Sequence, residues 1–466
     1  MGKVLQKSVL FIFPPIYEFA LYDLFCRPFA LMRLQKWFKN NGWHTDFVNG
    51  LSYSDKPSDS ILGKVKRYDN GQGHFYKEQL TQDRAVVPLP PELFLLPRHF
   101  CRYGIALQSF ENELTICKEK NGGEPQLICI SSGMIYWYKG VEETVALCKR
   151  VFPNSKIVVG GIYASLLPTH CKEVCKPDGV ITTSGATCIN SLLVKLLPDF
   201  VPLQGEIPLC PDTDKKAWGE GLQGGGVIRL NEGCFFNCDY CASKLISPKF
   251  IPGNYKSWID FIYTLNSEYG ISNFGFYDDA LLGNQEEVLY PFLEKIILDG
   301  KKFSFYAPNA LHIKLINEKN STLMQAAGFK EVRLGFESDQ GEFHKKHDNK
   351  YIYKDFIEAV SLLHKAGFKP KDIRCYILAG LPNQKWQEIE NAIKVVSENG
   401  AQPVVAEFTP IPGSNLWGES VKSSIYPIER EPLFTNNSLF PLQHSGFTPR
   451  DMGRVKNLAR NALGLS

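Results

Sequence analysis

From Gly226 onward the sequence alternates short apolar runs with longer amphipathic stretches, at a spacing of roughly 30 residues per pair. The runs are "GVIRLNEG", "NFGFYDD", "KFSFYAPN", "KEVRLGFES", "IRCYILAGLP" and "PVVAEFTPIP". Segments this short read as strands, and a helix-length connection between consecutive strands makes them parallel. Six such units predict an incomplete (β/α)6 barrel of the TIM type, whose working face is built by the loops that follow the strands. Asp278, Asp279, Asn309, Glu337 and Ser338 all fall at those strand ends and are candidate site residues.

The first part shows the same alternation. "SVLFIFPP", "HTDFVNG", "PQLICISSG", "KIVVGG" and the run ending at "GVITTSG" read as strands, with helices around Phe29 to Asn40 and in "GVEETVALCKRVFP". This pattern predicts a doubly wound parallel sheet, with any ligand at the carboxyl ends of its strands. Residues 52–124 interleave Gly, Pro and charge and are expected to form an insertion or cap. The predicted organisation is an α/β domain over 1–200 carrying that insertion, a linker over 201–225, the barrel over 226–418, and a mainly helical extension over 419–466. The extension contains one clear helix, "RDMGRVKNLARNALG".

Charge and composition exclude several classes. With 52 Lys and Arg against 49 Asp and Glu, the net charge of +3 gives no field for gathering a polyanion, so there is no strong nucleic-acid signal. No apolar stretch approaches a bilayer span. The N-terminal "VLFIFPPI" is stopped by Pro14 and Pro15 and reads as a buried strand rather than an export signal. Thirteen cysteines, an odd set, suit the reducing cytoplasm better than a disulfide framework. Clustered thiols in such a chain point to metal or redox work.

One cluster stands out. "GCFFNCDYC" places Cys234, Cys238 and Cys241 directly after the first barrel strand, on the predicted working face. A structural zinc site needs four protein ligands. Here a zinc knuckle would have to borrow its fourth from a distance, since no histidine lies between His170 and His312 and the next cysteine is Cys375. A thioredoxin-like use of Cys238 and Cys241 leaves Cys234 idle. An iron–sulfur cubane takes thiolates, and three of them would leave one iron open to a ligand from outside the protein.

Cys-x3-Cys-x2-Cys, with an aromatic residue before the last cysteine, resembles the signature of the radical S-adenosylmethionine (SAM) enzymes. The resemblance implies a [4Fe-4S] cluster on the three cysteines, with the amino and carboxylate groups of SAM on the open iron. It also implies reductive cleavage of SAM to a 5′-deoxyadenosyl radical that abstracts hydrogen from substrate. Tyr240 would lie near the adenine. "FYDDALLGN", with Asp278 and Asp279, resembles the segment whose strand-end backbone binds the SAM amino group. "VRLGFESD" is similar to the fourth-strand segment, making Glu337 and Ser338 candidate contacts to SAM's polar groups, with Asn309 beside them. "CYILAGLP", which contains Ile377, resembles the stretch that packs on adenine, and "FTPIPGSNLW" the sixth-strand ending.

The front domain extends the resemblance. "SKIVVGGIYASLLPTH" and the opening "FPPIYEFALYDLFCRPFALMRL" are similar to the cobalamin-binding domain fused to many radical SAM proteins, with Gly160 and Gly161 letting the backbone approach a corrin. The Asp-x-His-x-x-Gly loop that supplies cobalt's lower ligand in some such domains is absent, which bears on how a corrin would be held. Cys171 and Cys175, with Cys188, suggest either a second cluster or small buried hydrophobes, the latter being the common fate of free cysteines. His344 and His347 in "GEFHKKHDNK" are expected on a solvated loop.

The function expected is a cobalamin-dependent methylation of an unactivated carbon. It implies an electron donor such as a flavodoxin or ferredoxin and a small-molecule or peptide substrate. The alternatives are a corrin-free radical lyase, rearrangement or sulfur insertion, and a non-catalytic iron–sulfur module. No residue is assigned as an acid or base.

Overall fold

The computed structural model describes residues 7–51, 65–80, 87–95, 98–183, 185–213 and 225–463. Parts of the predicted insertion and linker, 52–64, 81–86, 96–97 and 214–224, lie outside the described residues. The chain divides into two compact units, Met1–Gly225 and Gly226–Ser466.

The first unit is a five-stranded sheet of β1 (Ser8–Phe13), β2 (His44–Asn49), β3 (Leu127–Ser132), β4 (Lys156–Gly161) and β5 (Gly179–Ile181). The strands run parallel in the order β5-β4-β3-β1-β2. This order reverses between β1 and β3, the switch point at which doubly wound sheets open a crevice. Strand β1 is buried from Val9 to Phe13, so it reads as a continuous apolar run, as a strand covered on both faces must. Helices α1 (Phe29–Asn40), α2 (Leu107–Lys120), α3 (Tyr138–Val151) and α4 (Ala186–Leu196) alternate with the strands.

Within the predicted insertion, α2 begins at Leu107 and restores the alternation before β3. Its amphipathic pattern is thin, since only Phe110 and Leu114 are buried. The residues before α2 form small antiparallel pairings, in which Cys101–Tyr103 pairs with Ile16–Glu18 and Lys77–Gln79. They are stitched to α3 by a buried polar knot. Arg102 Nη2 lies 2.9 Å from Glu143 Oε1, and the Tyr17 hydroxyl donates to Glu143 Oε2 at 2.5 Å.

Gly160 and Gly161 also receive a reason of their own. Gly161 has φ +108, and a Cβ there would sit 2.2 Å from the Ser132 carbonyl oxygen. A Cβ on Gly160 would meet Ile181 at 3.3 Å. Close approach of β4 to β3 therefore demands glycine at 161 before any ligand is considered, while at 160 a Cβ would be tight against the Ile181 side chain.

The second unit is a six-stranded sheet in sequential order, β6 (Gly225–Ile228), β7 (Asn273–Phe276), β8 (Ser304–Tyr306), β9 (Phe329–Glu337), β10 (Ile373–Ala379) and β11 (Gln402–Glu407). Neighbours from β7 to β11 pair in parallel, which is the predicted partial (β/α)6 barrel. On β10, Cys375, Ile377 and Ala379 are fully buried while Arg374, Tyr376 and Leu378 are only partly so, as the two-residue period of a strand dictates. Between sheet and helices Phe276 stacks on Phe329 at 5.3 Å and meets Phe305 at 5.6 Å.

The outer helices include α5 (Tyr255–Tyr269), α6 (Tyr290–Leu298), α7 (Glu318–Ala327), α8 (Gly341–His347), α9 (Tyr353–Lys365) and α10 (Trp386–Glu398). The final helix α11 (Pro449–Asn461) belongs to this unit. Gln402 on β11 donates to the Ala459 carbonyl at 2.7 Å, Lys456 pairs with Glu407 at 2.6 Å, and Arg454 lies 4.1 Å over Trp386 of α10. Among the described residues no helix is long and apolar enough to cross a membrane.

Candidate functional site

After β6 the chain leaves the sheet in a hairpin excursion. Asn231–Glu232 pairs antiparallel with Ile251–Pro252, and the loop between them carries Cys234, Cys238 and Cys241. Gly233 opens it with φ +79, where a Cβ would be 2.3 Å from the Lys249 carbonyl oxygen, so the two arms close tightly just before the first cysteine. All three thiols line one cavity of about 290 Å³ at the carboxyl ends of the strands. Tyr240, Asp279, Asn309 and Glu337 line it too. Seven sequence-predicted residues from four loops thus converge on one space.

The remaining predicted residues do different work. Asp278 is buried under β6, where its carboxylate accepts from the backbone N–H of Leu230 at 3.0 Å and of Asn231 at 2.6 Å. Burial pushes this carboxyl up to about 7, against the opposing pull of those two donors. It is a fastener for the strand end. Ser338 lies outside the cavity, its hydroxyl accepting from the Gln340 backbone at 3.1 Å. Ile377 is fully buried on the parity that faces away from the partly exposed Tyr376 and Leu378. It is not among the residues that line the cavity.

Two groups in the cavity, Lys350 and His312, escaped sequence reasoning. Lys350 sends its ammonium 3.2 Å from Glu337 Oε1 and 5.2 Å from the Tyr240 ring centroid. Burial alone would favour its neutral form, but the Glu337 carboxylate more than offsets that and holds the pKa above its ordinary value. Glu337 itself ends β9 at φ +61, a strained conformation for a residue with a Cβ. The Tyr351 hydroxyl braces it by donating to the preceding carbonyl, that of Phe336, at 2.6 Å. His312 places Nε2 3.6 Å from Cys234 Sγ and packs on Phe236 at 4.3 Å.

The expected solvated loop of His344 and His347 is overturned. Both sit on α8, and His344 is buried, with Nδ1 2.9 Å from Asp348 Oδ1 and Nε2 3.0 Å from the Ser338 carbonyl. Asp348 also accepts from the Tyr240 hydroxyl at 2.7 Å. Phe343 of the same helix stacks against Tyr240 at 6.1 Å. The run of charge hid a helix because its one apolar residue, Phe343, gave no periodicity to read. In the first unit Cys171 and Cys175 are buried and Cys188 is half-buried. Among the described residues no group of three or more His, Cys, Asp or Glu, the three cavity thiols included, is arranged to hold a single metal ion, so these thiols suit only a larger cluster.

Residues 228–396 match the family model of the radical SAM superfamily. The barrel is a radical SAM domain. Such a domain works with a [4Fe-4S] cluster and SAM, and the donor set fits, since three thiols open onto one cavity whose lining adds His312 but no fourth cysteine. An uncharacterized methyltransferase of Pyrococcus horikoshii, PH0819, is 28% identical over 337 residues, which covers 65% of this chain and 71% of the relative. Among solved structures the chain resembles the radical SAM methyltransferase TsrM of Kitasatospora setae with tryptophan substrate and a SAM analogue bound. That match has a TM-score of 0.63 at 13% identity and covers 90% of this chain and 76% of TsrM. It also resembles the cobalamin-dependent radical SAM enzyme OxsB with aqua-cobalamin bound, at TM-score 0.55 and 12% identity, over 95% of this chain and 57% of OxsB. These likenesses are of fold. They extend over both units.

Proposed function

We propose that the protein is a cobalamin-dependent radical SAM methyltransferase that acts on an unactivated carbon of a small-molecule or peptide substrate in the reducing cytoplasm. The observation that carries the proposal is the convergence of Cys234, Cys238 and Cys241 on a cavity that also holds the Lys350–Glu337 pair. The three thiols would hold the cluster, SAM would occupy the cavity beside it, and a corrin would sit at the carboxyl edge of the first unit's sheet. When bound, these cofactors supply the electron transfer, the radical and the methyl group that side chains cannot.

The protein's own part is to bind and orient. Lys350 and Glu337 set a cation and a carboxylate side by side, the complement of an amino acid's two charged ends. Asp279 and Asn309 add polar groups to the same lining, and the Asn309 amide is steered by donating to the Asp278 carbonyl at 3.2 Å. Tyr240 is held by Asp348 and Phe343, so its ring presents one fixed face. Each of these contacts removes freedom before SAM arrives, which is where preorganisation lowers the cost of binding.

The corrin assignment draws on the cofactor seen in OxsB and on the cobalamin and [4Fe-4S] cluster bound in another TsrM structure. The methyl-transfer assignment draws on the names of TsrM and the Pyrococcus relative. The electron would come from a flavodoxin- or ferredoxin-like donor. Anaerobic reconstitution with iron, sulfide and hydroxocobalamin tests the whole. The expected outcome is one cluster and one corrin per chain, and 5′-deoxyadenosine released from SAM under reducing conditions. A chain that turns over SAM without retaining corrin refutes methylation by this route and favours a corrin-free radical reaction.

A further inference from the structure

Asp239 is the residue between Cys238 and Tyr240 in the cysteine loop, and nothing in the cysteine signature requires an acid there. The structure makes it a hub. Its Oδ2 lies 3.0 Å from His347 Nδ1 on α8, and its Oδ1 accepts from the Asn415 amide at 2.7 Å. Its backbone is engaged as well: the N–H donates to the His347 carbonyl at 2.9 Å, and the carbonyl accepts from the Leu416 N–H at 3.2 Å. Four bonds therefore join one residue of the loop to two segments remote in sequence, the end of α8 that follows β9 and the turn that follows β11.

Besides Asp239, the second half of the loop is tied down by Tyr240, whose hydroxyl donates to Asp348 at 2.7 Å and whose ring stacks on Phe343. Cys241 is followed by the single helical turn Ser243–Ile246, and the hairpin ladder that closes the excursion lies at its far ends. Without an anchor, Cys238 and Cys241 would sample many positions, and each would have to be frozen when metal binds. From this geometry we propose that Asp239 is a positioning residue. By clamping the loop between α8 and the Asn415–Leu416 turn, it sets Cys238 and Cys241 in their metal-binding places in advance. The inference rests on the proposal that these thiols hold the cluster.

The clamp predicts a kinetic and a spectroscopic signature. In anaerobically reconstituted full-length protein, Asp239→Ala loses two side-chain bonds to a carboxylate, and chelator-driven iron release should accelerate about tenfold. The electron paramagnetic resonance spectrum of the reduced cluster should broaden or shift. His347→Ala removes one of those bonds and should accelerate release about threefold, while His347→Asn, whose amide nitrogen takes the place of Nδ1, should restore the original rate. Asp239→Asn keeps the backbone bonds and one acceptor, so it serves should the alanine variant not fold.

Unchanged release and an unchanged spectrum in both Asp239 variants overturn the clamp. So does faster release matched by an equal fall in the thermal midpoint of the cluster-free chain, because that outcome reports general stability. An unsubstituted chain that takes up no cluster overturns the clamp together with the proposed function. A cluster that forms but is indifferent to Asp239 overturns the clamp alone.

Discussion

Asp278 and Asp279 are adjacent, identical in chemistry, and placed by the structure in different roles, so substituting each separates fold from function. In Asp278→Ala, the N–H groups of Leu230 and Asn231 lose an acceptor at 3.0 and 2.6 Å in a site where the Asp278 side chain is almost wholly buried. Each orphaned buried donor costs about 1–3 kcal/mol, so the pair should cost roughly 3–4 kcal/mol. The barrel unit spans Gly226–Ser466, and for a unit of this size about 1 kcal/mol moves the thermal midpoint by roughly 2–4 °C. The expected fall is therefore about 10 °C, read by circular dichroism on cluster-free protein kept anaerobic. Asp279→Ala should leave that midpoint nearly unchanged, since Asp279 meets Arg229 at 3.9 Å and the Ser243 side chain rather than the strand-end N–H groups that Asp278 holds. It should instead weaken SAM binding by reconstituted protein in equilibrium dialysis. If Asp278→Ala melts with the unsubstituted chain yet loses SAM, the assignment of the two carboxylates is reversed and the fastening argument fails.

Other substitutions probe other parts of the molecule. Replacing any one of Cys234, Cys238 or Cys241 by Ala should abolish retention of a four-iron cluster, whereas Cys375→Ala, inside the sheet, should retain it; iron and sulfide analysis decides. Lys350→Met leaves Glu337 unpaired in a buried site and should lower stability by about 3 kcal/mol while reducing SAM affinity, read together by thermal shift with and without SAM. Arg102→Ala strands the wholly buried Glu143 carboxylate and should cost about 3–5 kcal/mol in the first unit alone, without changing SAM binding by the barrel. Gly161→Ala forces a Cβ into the Ser132 carbonyl at positive φ, and soluble yield should fall sharply even when no corrin is supplied.

Much of the site was legible because its signals are local. The cysteine spacing, the aromatic before the last cysteine and the polar residues at strand ends are read within a few positions of one another. Asn309 and Glu337 could be placed near the cysteines only through the barrel pattern, which puts every strand's carboxyl end on one face. Parity was available and sets Ile377 on the face opposite to Tyr376. Asp278 was harder. Nothing in "FYDDALLGN" distinguishes the acid that faces the cavity from the acid that folds back beneath β6.

Taken alone, the order of residues determined the alternation of strand and helix in both halves, the parallel sheets that follow from it, and the face on which three thiols would stand. Those are consequences of short-range periodicity and covalent spacing. Tertiary structure decided which charges meet. Lys350 reaches Glu337 across 13 positions, His347 reaches Asp239 across 108, and Asn415 reaches it across 176. No local pattern encodes such partners. They exist because the arc of strands brings the ends of β6, β9 and β11 to a common rim, where polar groups from distant segments meet.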